Sequence, residues 1–146
     1  MYQNILIPID GSPTSDTALQ EGFKLAKYHK AQIELVYVVG NFFLQSIEVA
    51  GYHDEILEAT RNKGNTILAE AQSMAEQSGV SAEVKLLEAC GEDIADRIVS
   101  EAKHWSADLI VIGTHGHTGF SHLLLGSVAE GVIRSAHIPV LLIRSK

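Results

Sequence analysis

A single cysteine, Cys90, leaves the chain no means of building an internal disulfide framework or a four-cysteine metal knuckle. Basic residues are also scarce: 11 lysines and arginines against 18 acids give a formal charge of −7. A general binder of nucleic acid or acidic membrane needs a basic face, and this balance argues against one. No apolar run approaches the ~20 residues that span a bilayer. The opening MYQNILIPID reads as a strand, not as a charged-then-apolar secretory leader. Low-complexity stretches, interdomain linkers and solenoid-length repeats are missing as well. The expectation is a soluble, cytoplasmic chain whose 146 residues form one domain, 1–146, able to bury its own core.

Within these bounds, short apolar runs alternate with helical stripes. Asn4 to Asp10 (NILIPID) is the first strand and ends at the turn Asp10-Gly11-Ser12-Pro13. Ser12 is placed to cap a helix opened by Pro13, where a missing N–H costs nothing. Ala18, Leu19, Gly22, Phe23 and Ala26 then recur at helical spacing to about His29. Gln32 to Val39 (QIELVYVV) is the second strand. Gly40 to Gly51 has no period and carries Phe42, Phe43 and Leu44, as a lid or a partner surface would. A long helix follows, with Ile56, Leu57, Gly64, Ile67, Leu68, Ala71, Met74 and Ala75 inward and a stop at Ser78-Gly79.

Ala82 to Glu88 is the third strand. Glu92 or Asp93 starts a helix striped by Ile94, Ala95, Ile98, Val99 and Ala102. Leu109 to Ile112 is uninterruptedly apolar, as in a strand covered on both faces. A last helix spans about Ser127 to Ser135, and Val140 to Ile143 closes the chain. Five such alternations predict an α/β fold: a Rossmann-like five-stranded parallel sheet, order 3-2-1-4-5, with helices on both faces. Pro8, inside the central strand, lacks a ladder donor and predicts a local irregularity.

In an open parallel sheet, ligands collect at the carboxyl ends of the strands where the order reverses, here between strands one and four. The segments leaving those ends, Asp10-Gly11-Ser12 and Gly113-Thr114-His115-Gly116, are small, polar and glycine-bearing. Gly113, Gly116 and Gly119 permit left-handed dihedrals and close backbone approach. Gly126-Ser127 then opens a helix whose unpaired N–H groups and dipole suit an anion, above all phosphate. Equally, three glycines make a flexible turn, and Ser127 is a good N-cap with no ligand at all. The loop is not a Walker A motif, since no GK[ST] follows at the required spacing. Nor does Asp10-Gly11-Ser12-Pro13, with its one glycine, make the dinucleotide fingerprint.

The spacing Gly113-x-x-Gly116, nine residues, then Gly126-Ser127 resembles the signature of the universal stress protein family. PIDGS near the start, LLLGSVAEGVI and the closing IPVLLIR are similar to that family too, so the resemblance covers essentially the whole chain. It implies the ATP-binding branch, with a Rossmann-like fold of the adenine nucleotide alpha hydrolase kind. By that resemblance Asp10 and the Val38 backbone would face adenine, and Ile7-Pro8-Ile9 would floor the pocket. The chain around Ile112 and Gly113 would hold the ribose. Gly116, Gly126, Ser127 and Val128 would contact phosphates, largely through backbone N–H groups. The alternative for Asp10 is an ordinary Asx turn.

The remaining candidates are weighed on their chemistry. The pair His115-x-His117 invites a metal reading, but zinc normally needs three or four ligands and no cysteine or carboxylate lies nearby in sequence. Contact with phosphates or solvent by His115 and His117, with His122 on the surface, is the better expectation. Mg²⁺ would arrive, if at all, on the nucleotide's phosphates. Phosphoryl transfer wants a cationic clamp, yet Gly113 to Gly131 holds no lysine or arginine, and Arg134 reads as a surface residue. Turnover should be slow or absent, which favours a nucleotide-dependent sensor or regulatory module in a stress response. A slow ATP hydrolase or phosphotransferase, and a nucleotide-free interaction domain, are the alternatives. Cys90 reads as a small packing residue and Trp105 as partial core. Val140, Leu141, Leu142 and Ile143 form a bare apolar edge, which suggests a homodimer through fifth strands unless helix and tail shield it.

Overall fold

The computed structural model describes residues 1–40, 53–115 and 125–144. Among these residues five strands alternate with four helices: β1 (Asn4–Pro8), α1 (Pro13–His29), β2 (Gln32–Gly40), α2 (His53–Gln77), β3 (Ala82–Ala89), α3 (Ile94–Trp105), β4 (Leu109–Gly113), α4 (Ser127–Ser135) and β5 (Val140–Ile143). The strands form one parallel sheet in the order β3-β2-β1-β4-β5, as the alternation predicts. The loop expected at Gly40 to Gly51 lies, beyond its first residue, outside the described residues.

Local chemistry sets the boundaries. Ser12 caps α1, its Oγ accepting from Ser15 N at 3.2 Å, and Pro13 occupies the first helical position. α2 stops at Ser78-Gly79, where Gly79 takes φ +78°. β1 is apolar on both faces because helices cover both. On one face Ile5 and Ile7 pack with Leu19 and Phe23 of α1 and with Leu68 and Ala71 of α2. On the other, Leu6 packs with Ile98 of α3, Ile110 of β4 and Val132 of α4. Trp105 packs against this second core, as its position predicts.

Pro8 is the last residue of β1, so the irregularity falls at the strand's end. Ile9 N donates to Val36 O at 2.9 Å, and alternation turns the Pro8 nitrogen to the β4 side. There the β1–β4 register is formed by Ile5↔Leu109 and Leu6↔Ile110 and has ended before Pro8. The missing donor therefore falls where the two strands have parted, at the carboxyl-end opening.

Two sequence readings need correction. Cys90 is exposed, not packed: it follows β3 directly, ahead of Gly91 at φ +83°, and the turn carries it out of the core. Ser127 is not an N-cap. Gly126 holds the cap geometry (φ −73°, ψ 160°), and Ser127 is the first helical residue, with an exposed side chain.

Candidate functional site

The segments leaving β1 and β4 meet in space. A Cβ built on Gly113 would lie 2.6 Å from Thr14 Cγ2 and 3.2 Å from the Thr14 carbonyl carbon and oxygen. Glycine is required there by close approach to α1. Positive φ falls instead at Gly11 (+82°), in the first loop. At Gly126 a Cβ would stand 2.9 Å from Thr114 O and 3.4 Å from His115 Cα. Thr114 ties three elements together: its N–H donates to Ile143 O (2.9 Å), its carbonyl accepts from Gly126 N (2.6 Å), and its Oγ1 lies 3.0 Å from His115 Nδ1. The end of β4, the end of β5 and the start of α4 are thereby fixed to one another.

The two helix starts at this edge differ in kind. The start of α1 is internally satisfied: Ser12 Oγ accepts from Ser15 N, Asp10 Oδ1 accepts from Ser12 N (2.9 Å), and Ser15 Oγ accepts from Asp10 N (3.2 Å). Asp10 therefore does make the Asx turn that was its alternative reading. At α4 the glycine N-cap supplies no side-chain acceptor. The first intrahelical bond into the cap runs from Glu130 N to Gly126 O at 2.9 Å. The amides of Ser127, Val128 and Ala129 thus have no helical acceptor, and among the described residues no side chain caps the positive end of the dipole. Such an end recruits an anion.

Val38 also turns its backbone toward this edge. Gln32 N donates to Gln3 O and Ile9 N to Val36 O across the β1–β2 boundary, so even-numbered β2 residues turn their backbone toward β1. Val38 comes two residues after the last of these contacts and directs its N–H and C=O into the space beyond β1. Ile9 and Ile112 are buried and Asp10, Val38, Gly113 and His115 half-buried around the same carboxyl edge. The structure thus brings Pro8, Ile9, Asp10, Val38, Ile112, Gly113, His115, Gly126, Ser127 and Val128 to one end of the sheet. Gly116 and His117 lie outside the described residues, as do Phe42, Phe43, Leu44, Gly119 and His122.

A cavity of about 230 Å³ opens beside this edge, between α1 and α2. Its floor is Ile9, Leu19 and Ile67, and its polar groups are Ser15, Asp16, Lys63 and Glu70. Burial raises the Asp16 carboxyl above its ordinary range, helped by the negative charges of Asp10 and Glu70. Among the described residues no cluster of three or more His, Cys, Asp and Glu could hold a metal ion. Nor is any described helix long and apolar enough to cross a membrane. Arg134 is exposed and pairs with Glu130 at 2.6 Å, as its surface reading predicts.

Sequence reasoning missed one cluster. Glu34 and Glu101 are 3% and 1% exposed, and Lys85 Nζ lies 3.2 Å from both oxygens of Glu101. The signal was a glutamate set within the apolar strand QIELVYVV. It lies away from the carboxyl edge and has its own consequence below.

The sheet order, with helices on both faces, defines a doubly wound α/β protein. Comparison with known proteins narrows that class. Residues 1–144 match the model of the Universal stress protein family, and the chain belongs to that family. Universal stress protein MJ0531 of Methanocaldococcus jannaschii is 38% identical over 144 residues, covering 99% of this chain and 83% of the relative. Among solved structures, hypothetical protein MJ0577 superposes with a TM-score of 0.88 at 26% identity, covering 100% of this chain and 98% of the other. The universal stress protein of Archaeoglobus fulgidus, solved in complex with dAMP, superposes at 0.69 with 26% identity, covering 97% and 98%.

Proposed function

We propose that this chain binds an adenine nucleotide, ATP or AMP, and acts as a nucleotide-dependent sensor or regulatory module of the cytoplasmic stress response, built as one domain over residues 1–146. The observation that carries the reading is the contrast between helix starts: α1 is capped by its own Ser12 side chain, whereas α4, at the point where the strand order reverses, has no side-chain cap among the described residues. The dAMP complex of the Archaeoglobus fulgidus relative supports an adenine ligand. Phosphates would sit on the amides of Gly116, Ser127 and Val128 beside Gly126, with His115 and His117 alongside. The ribose would lie over Ile112 and Gly113, and the base against Pro8 and Ile9. The Val38 backbone and the Asp10 carboxylate would face the base edge, Asp10 while keeping its turn. Mg²⁺, where present, would be held by the nucleotide's phosphates.

Heat-denaturing freshly purified protein and chromatographing the supernatant should release adenine nucleotide. Timed incubation of the protein with ATP and Mg²⁺ should show slow turnover or none, because the segment Gly113 to Gly131 carries no lysine or arginine to clamp the phosphates. Rapid ADP formation that vanishes in His115→Ala would replace the module with a hydrolase.

We further propose a homodimer through β5. Val140, Leu142 and Ile143 are half-buried against their own cores, but Leu141 is 38% exposed on this edge strand. Leu141→Asp should convert a wild-type dimer to monomers in light scattering, whereas retention of the wild-type mass would rule out edge pairing.

A further inference from the structure

Glu34 lies in the middle of β2, an interior strand, in register with Leu6 of β1 and Glu83 of β3. Its carboxyl lies within interaction reach of that of Glu101 on α3. Both side chains are almost fully buried. Two carboxyl groups can bond to each other only when one carries a proton, since an ionised carboxylate is acceptor-only. Lys85 of β3 settles which. Its Nζ lies 3.2 Å from each oxygen of Glu101, and Arg97 Nη1 of α3 lies 3.8 Å from the same group. The cations thus stabilise charge on Glu101. Among the described residues Glu34 makes no ion pair, and its Oε1 finds no hydrogen-bond partner. This arrangement favours the proton on Glu34.

We propose that Glu34 and Glu101, braced by Lys85, form a proton-sharing latch that fastens α3 to the β2–β3 half of the sheet and slackens when that proton is lost. The groups facing the pair are Glu83 and Lys85 from β3 and Arg97 from α3, while β1 contributes apolar Leu6. Burial, then the hydrogen bond and charge of Glu101, pushes the Glu34 carboxyl from 4.5 up to about 8; Lys85 opposes this and Glu83 adds to it. The folded chain therefore keeps a proton that the unfolded chain releases. The latch's contribution is fully present below the ordinary carboxylate range and is lost as pH rises through about 8. Loss of the proton would leave two buried carboxylates side by side, with Lys85 and Arg97 both turned to Glu101 and neither paired with Glu34, and α3 would have to move to admit water.

Slack in α3 would reach α4. A Cβ built on Gly131 of α4 would stand 2.6 Å from Ala95 Cβ, and Ser135 Oγ donates to Asp96 Oδ1 at 3.4 Å. The latch is independent of the nucleotide reading, because none of its residues lies at the carboxyl edge.

Urea unfolding of the full chain at a series of pH values, wild type against Glu34→Gln, tests the latch. One retained proton makes the wild-type unfolding constant rise up to about tenfold per pH unit between about pH 6 and 8, beyond the slope of the variant. The glutamine amide, which keeps a donor for Glu101 but has no proton to lose, should remove that excess slope. The lone tryptophan, Trp105 at the end of α3, should show an emission change over the same range in wild type only. Identical slopes in the two proteins would overturn the proposal. Should the variant fail to fold, carboxyl ¹³C titration of wild-type Glu34 decides: a midpoint near 8 supports the latch, and one in the ordinary carboxylate range overturns it.

Discussion

Gly126→Val should weaken ATP binding by about tenfold to a hundredfold. The valine's first side-chain carbon would lie 2.9 Å from Thr114 O and 3.4 Å from His115 Cα, and neither backbone atom can swing aside as a flexible side-chain tip would. The start of α4 must then tilt off the end of β4. Its amides would leave the place where the phosphates sit, and one lost charge-assisted hydrogen bond is worth roughly 1.5–3 kcal/mol. That loss converts to about one to two decades of affinity. The φ of −73° at Gly126 is open to any residue, so the penalty is one of space and not of backbone strain. Titration calorimetry measures it, and circular dichroism shows that the sheet persists. Unchanged affinity in a folded variant would mean that the phosphates do not rest on α4.

A larger effect on stability is expected at Phe23. It is 2% exposed, sits on the inner face of α1 and packs in the core that unites α1, α2 and the sheet. Truncation to alanine removes a whole ring from a close-packed interior, at a cost of about 3–5 kcal/mol. Set against roughly 5–15 kcal/mol of total stability, that is a large share of what holds the chain folded. Chemical denaturation of Phe23→Ala would read it directly, and a loss under about 1 kcal/mol would contradict the packing described. The ring lies midway along α1, away from the carboxyl edge, so the nucleotide affinity of the folded fraction should stay near that of wild type.

Much of the fold could be read in the sequence because its signals are local. Ser12-Pro13 marks the start of α1 through a cap and a fixed φ, and the β-branched runs mark the strands. The spacing Gly113-x-x-Gly116 to Gly126-Ser127 marks the loop. What stayed hidden depends on distant partners. That Gly113 serves a contact with Thr14 and not a left-handed turn is a fact about a residue far back in the chain, on the first helix. Ser127 reads as a cap until the preceding glycine is seen to hold the cap geometry. The pairing of Glu34 with Glu101 joins a strand to a helix much later in the chain, and no window of sequence contains both. Cys90 is exposed because a glycine turn follows it, although its immediate predecessor Ala89 is buried.

The most direct measurement is isothermal titration of the nucleotide-stripped wild-type chain with ATP. If the bare amides at the start of α4 grip the phosphates, heat is exchanged at one site per chain, with a dissociation constant well below about 1 mM. The stoichiometry is the same whether the chain is a monomer or a dimer. A flat titration at about millimolar ATP, with the protein folded, would contradict adenine-nucleotide binding at this edge.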